Sequence, residues 1–195
     1  MKRCRFIIGL FFPFLVACFY TEASAVRPPL KPLDMKNLPK LVADAEVIAV
    51  GTVSSVIRSK TLQPPRETII IRAVMSADRI LKGDESMKTI TIEESYRQFS
   101  SEDSHGQNIT ALTAGPAPPV GVYRQGERIL VFLKSIDGSG IFRPLGSGDH
   151  DVYLGLLQIT SGSVKSDRYM LDEAVSKYAG NEDSFFSLIA GLTHP

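Results

Sequence analysis

Beyond residue 25 the sequence contains no cysteine; the only two, Cys4 and Cys18, lie near the N-terminus. The rest of the chain therefore has no disulfide framework, no cysteine-ligated zinc and no cysteine nucleophile. Net charge is scarce as well, with 22 basic against 21 acidic residues and a formal charge of +1. Without residues 1–25, which carry Lys2, Arg3, Arg5 and Glu22, the balance becomes −1. Such a chain has no electrostatic footprint for nucleic acid and no polybasic patch for a membrane surface. The three histidines, His105, His150 and His194, are far apart and make a weak zinc inventory. No serine has glycine two positions before and two after it, as a nucleophile elbow needs. No glycine-rich phosphate loop leads into Lys-Ser or Lys-Thr. There is no internal repeat and no heptad pattern.

What is present begins with an address. Lys2, Arg3 and Arg5 form a positive head, Phe6–Tyr20 an apolar run, and Ala23-Ser24-Ala25 a small-residue cleavage site. Residues 1–25 thus read as an export signal. The run falls short of the ~20 residues that span a bilayer, so a retained anchor is the weaker reading. A second site competes: Leu15-Val16-Ala17-Cys18 resembles a bacterial lipobox, in which Cys18 would become a lipidated N-terminus. Both outcomes place the protein outside the cytoplasm, periplasmic or secreted in one case and membrane-anchored in the other.

Residues 26–38 hold Pro28, Pro29 and Pro32 and read as an extended lead. Pro39–Asp44 is expected to form a short helix, with proline in its first turn. The stretch Ala45–Ile57 organises the rest of the domain. It is crowded with Val47, Ile48, Val50, Val53, Val56 and Ile57, whose branched side chains suit a pleated sheet. Gly51 marks a bend or bulge within it. Val47 and Ala49 fall on one face, Ile48 and Val50 on the other, so one side should meet a barrel interior and the other a covering helix.

Arg58–Arg66 is polar and includes Pro64-Pro65, which predicts a loop. Two alternating strands come next, from Glu67 to Leu81 and from Met87 to Glu93, joined at Lys82-Gly83-Asp84 as a hairpin. Glu94–Gly126, rich in serine, glycine and proline, predicts a long loop acting as a mobile flap, with disorder as the alternative. Arg128–Lys134 is uniformly apolar at its centre and predicts a central strand. Asp137-Gly138-Ser139-Gly140 is a hairpin turn into Ile141–Leu145. Asp151–Thr160 and Val164–Leu171 flank a second hairpin at Ser161-Gly162. A short helix at Leu171–Tyr178 and a last one at Glu182–Leu192, capped by Asn181, close the chain. The domain plan is a signal at 1–25, a lead at 26–38, a β domain at 39–171 with a long loop at 94–126, and a helical segment at 172–195.

This order predicts a mainly β fold: a five-stranded Greek-key barrel of the OB type with short flanking helices, the last at the C-terminus. Ala45-Glu46-Val47-Ile48-Ala49-Val50-Gly51-Thr52-Val53, followed by Ile80-Leu81-Lys82-Gly83, resembles the netrin-like modules related to tissue inhibitors of metalloproteinases. Gly126-Glu127-Arg128-Ile129-Leu130-Val131-Phe132-Leu133 resembles a strand of bacterial exported proteins with similar openings. The resemblance spans roughly Leu38–Leu157 and implies the fold. It does not carry inhibition with it, because that activity needs a free N-terminal cysteine held by disulfides.

The strongest chemical candidate is Asp149-His150-Asp151, whose carboxylates and imidazole could ligate a divalent metal in a hydrolase. In an extended segment, however, Asp149 and Asp151 point away from His150, and a polar turn is the plainer reading. His105 lies near Glu102 and Asp103 in the serine-rich stretch, where a solvated loop explains it. OB barrels that bind nucleic acid present basic, aromatic strand faces; here the strand Met87–Glu93 offers Thr and Ile. No cofactor and no nucleic acid is expected. The expected function is non-enzymatic binding of a protein or small ligand at the cell envelope, through residues 94–126 and the barrel edges. A metal-dependent hydrolase or a structural envelope lipoprotein is the alternative.

Overall fold

The computed structural model describes residues 33–63, 66–102, 108–112, 123–145, 155–166 and 171–193. Along the chain run α1 (Asn37–Asp44), β1 (Val47–Gln63), β2 (Arg66–Lys82), β3 (Thr89–Glu102) and β4 (Asn108–Leu112). After them come β5 (Arg128–Ser135), β6 (Ile141–Pro144), β7 (Leu156–Thr160), β8 (Ser163–Lys165), α2 (Glu173–Ala179) and α3 (Glu182–Thr193).

Five strands close a ring. β1 pairs antiparallel with β2, β2 with β3, β6 with β5 and β5 with β1, while β3 runs parallel to β6. The order β1-β2-β3-β6-β5 and back to β1 is a Greek-key barrel of the OB type. β4 is added to β3 outside the ring, and the β7–β8 hairpin continues the sheet beyond β5.

The alternation in β1 and β5 builds two cores. Val47, Ala49, Val53, Ile129, Val131 and Leu133 face inward, where Ile71, Ala73, Met75, Ile90 and Ile92 fill the barrel. Ile48, Val50, Leu130 and Phe132 face outward and are covered by the helices. This is why β5 reads as uniformly apolar: five of its residues are buried in succession, on both faces. Leu38, Leu41 and Val42 of α1, Val175 of α2, and Phe185, Phe186 and Ile189 of α3 form the outer layer.

The short sequence patterns have identifiable jobs. β1 shifts register against β2 between Val50 and Gly51, so the glycine does mark a bulge. The Lys82 ammonium donates to the carbonyls of Val42 and Ala43 at 2.8 and 3.0 Å, capping the C-terminal end of α1. Gly83 comes next at φ 109°, lying against the Glu46 backbone. Arg128 binds Asp78 at 3.2 Å and also bonds Glu182, joining β5, β2 and the start of α3. Asn181 caps α3, its Oδ1 accepting the Ser184 amide at 3.0 Å. Ser161 and Gly162 both have positive φ, the turn that matches strand twist in a two-residue hairpin.

Two expectations need correction. Arg58–Arg66 is not a loop: β1 runs to Gln63, β2 begins at Arg66, and only residues 64–65 lie between them. Likewise the segment after Glu94 does not open at once into a loop; β3 continues to Glu102, and β4 pairs back onto it from Gln98↔Leu112 to Glu102↔Asn108. Both strands are polar here because they have left the barrel, so neither face is obliged to be apolar.

Candidate functional site

At one end of the barrel the sheet does not stop. β1 pairs with β5 only from Val47↔Leu133 to Thr52↔Arg128. Two further backbone bonds tie Val53 to Gly126 and Glu127, at 2.8 and 2.9 Å. Past that point, among the described residues, β1 pairs with β2 alone, through Gln63↔Arg66. β3 and β4 continue the same extension, giving a four-stranded arm in the order β1-β2-β3-β4.

The root of the arm is plugged by a carboxylate and a phenol. Glu94 lies beyond Ile90 and Ile92 at two-residue spacing, so it faces the barrel interior, opposite Ile71 on β2. It is 2% exposed and the one buried charged residue among those described. The Tyr123 hydroxyl donates to Glu94 Oε1, and Tyr123 is itself buried in the barrel cluster. Gly126, at φ 83°, then turns the chain into β5. Tyr123 is thereby held to β3 by its side chain, and its segment to β1 by backbone bonds. The sequence carries a signal for Glu94 as the third member of the 90, 92, 94 series, but the serine-rich composition beyond it masks that signal as the start of a loop. Tyr123 carries no signal of its own.

Above this plug a run of β1 is solvated. Ile57, Arg58, Ser59, Lys60 and Thr61 are exposed in succession. Ile57, 59% exposed, is one of two large apolar side chains at the surface among the described residues, with Tyr178. On the opposite strands Arg72 Nε reaches Glu93 at 3.1 Å, a cross-strand ion pair on the outer face. The barrel end away from the arm is covered differently: Arg79 near the end of β2 sits 5.5 Å from the Phe186 ring of α3.

Asp149, His150 and Asp151 lie outside the described residues, as do Cys18, His105 and His194. Among the described residues no group of three or more His, Cys, Asp or Glu is placed to hold a metal ion. No described helix is long and apolar enough to cross a membrane. The expected flap is divided: residues 94–102 and 108–112 are strand, Tyr123–Gly126 brings the plugging phenol and the turn into β5, and residues 103–107 and 113–122 are outside the described part. No protein-family model and no curated protein sequence matches the chain.

Proposed function

We propose that the chain is an exported, non-enzymatic binding module of the cell envelope, in which the barrel is the scaffold and the arm takes the ligand. The observation that carries this is the division of labour within β1. Its first part is sealed between two strands and two apolar layers, and farther along it Ile57 to Thr61 are exposed one after another. The barrel interior is filled by aliphatic side chains and plugged by Glu94 and Tyr123, so a ligand has the outer surface to bind. Loops and extensions on a rigid scaffold are where binding residues concentrate. The export signal at 1–25 supports the location, with lipidation at Cys18 as the route to a membrane-tethered form. The netrin-like resemblance fits the scaffold and leaves the ligand to be found.

The test is recovery from envelope extract with the full chain and with a variant in which residues 60–69 are replaced by Asn-Gly, which closes the hairpin at Ser59↔Ile70. The full chain is expected to retain a partner that the shortened chain loses. Empty recovery with both, or equal recovery with both, would overturn the reading.

A further inference from the structure

The arm leaves the barrel at a joint where its strands behave differently. β2 and β3 pass through it in unbroken register, from Ser76↔Thr89 to Arg66↔Phe99. β1 does not. Val53 pairs with Met75 and Ser55 with Val74, so Ser54 is an extra residue, a β-bulge just where β1 parts from β5. The Ser54 hydroxyl donates to the Val74 carbonyl at 2.9 Å, tying the bulge to β2 by a side chain. On its other side β3 changes partner at this joint, from β6 at Ile92 to β4 at Gln98. Between those two pairings stands Glu94, bonded by the Tyr123 hydroxyl.

We infer that Glu94 and Tyr123 form a latch that sets the angle of the arm to the barrel, with the Ser54 bulge as its hinge. Resting on the reading that the arm takes the ligand, this makes the latched setting the one that binds.

Residues 123–127 bridge the joint from β1 to β3. Backbone bonds hold Gly126 and Glu127 to Val53, and the Tyr123 side chain holds Glu94. The same residues lead directly into β5, so the bridge belongs to the barrel and not to the arm. A bulge concentrates bend and twist in one strand, and a tie across the joint opposes that bend. Both latch residues are buried. Water does not compete for their bond while it is made, and breaking it leaves two polar groups that water must follow in to reach. The joint therefore has two settings, one dry and tied, the other wetted and released. From residue 53 to 63 the strand spans about 33 Å, so a tilt of about 10° carries the tip about 6 Å.

The test measures that tilt by distances between spin labels in the full chain, with Cys4 and Cys18 replaced by serine. Labels go on cysteines introduced at Thr61 on the arm and at Ser187 on α3 and Lys134 on β5, all exposed positions. They are used in pairs, two from arm to barrel and one within the barrel. The parent is expected to show one narrow distribution for each pair. Tyr123→Phe, which keeps the ring and removes the donor, should shift or broaden an arm distance by about 5 Å or more. Glu94→Ala should do the same, and the double variant no more than either, since each opens the same latch. Arg124→Ala, an exposed neighbour in the bridge, should leave every distance at its parent value. Unchanged arm distances in Tyr123→Phe and Glu94→Ala would overturn the latch. Loss of the barrel distance along with them would make the pair a prop of the whole fold and overturn it too. In the extract experiment Tyr123→Phe should lose the partner that the parent retains. Equal retention with moved distances would overturn the assignment of binding to the latched setting. If the distances stay and an arm-dependent partner is still recovered, the latch is wrong and the binding reading stands. If the distances move and the parent recovers nothing, the latch stands and the binding reading falls.

Discussion

Gly51→Ala is expected to destabilise the protein by about 3 kcal/mol or more, at the upper end for an overpacked core site. For a domain of this size that lowers the melting temperature by roughly 6–12 °C. A Cβ at position 51 would sit 2.2 Å from the Ser76 carbonyl oxygen, 2.8 Å from Met75 Cγ and 3.0 Å from Ala77 Cα. The closest of these is backbone, which cannot rotate aside. Nor can β1 retreat, because Gly51 is paired to Ala77 on one side and to Ile129 on the other. Relieving the clash means opening the barrel at the β1–β2 or the β1–β5 seam. Gly191 in α3 is the internal control. Nothing lies within 4 Å of its absent Cβ, so Gly191→Ala gains about 0.5–1 kcal/mol from helix propensity. Thermal unfolding of the two variants beside the parent separates a steric glycine from a permissive one.

Phe185→Ala is expected to cost about 3–5 kcal/mol, the range for truncating a fully buried aromatic. Phe185 is 0% exposed and lies in the outer core with Leu33, Ile48, Val50 and Phe132. That core is what holds α1, α2 and α3 to the barrel, through residues from strands and helices alike. Loss of the ring leaves a void beneath α3, which the neighbours, anchored in the sheet, close only partly. Denaturant unfolding should show a lower midpoint with an unchanged slope, since the surface exposed on unfolding stays the same.

The parts legible from sequence are those where burial dictates residue type. Val47, Ile48, Ala49 and Val50 have to be apolar on both faces, because the barrel lies to one side and the helices to the other. The turn residues Asp137-Gly138 and Ser161-Gly162 are legible because positive φ restricts the choice. The arm is illegible for the complementary reason. Arg58, Ser59, Lys60 and Thr61 are strand held by backbone bonds to β2, and such bonds leave no mark on side-chain pattern. The same holds for residues 95–102 of β3, whose pairing passes from β2 to β4 along the strand. Strand structure outside a core is set by pairing, and pairing partners distant in sequence are invisible to local periodicity. The candidate binding element therefore falls where the sequence looks like loop. The pairing of Glu94 with Tyr123, 29 residues apart, is hidden by the same distance.

Site-resolved hydrogen exchange on the isolated full chain tests most directly whether a sealed barrel carries an exposed arm, the part of β1 that among the described residues pairs with β2 alone. Amides of Ile129–Leu133, bonded on both sides of β5, should exchange slowest, at rates reporting global unfolding. Between Ser55 and Gln63, every second amide should exchange orders of magnitude faster than its neighbours bonded to β2. Uniform slow exchange along Ser55–Gln63, matching that of Ile129–Leu133, would show that stretch covered on both sides and contradict the reading of the arm as the exposed, ligand-taking part of the sheet.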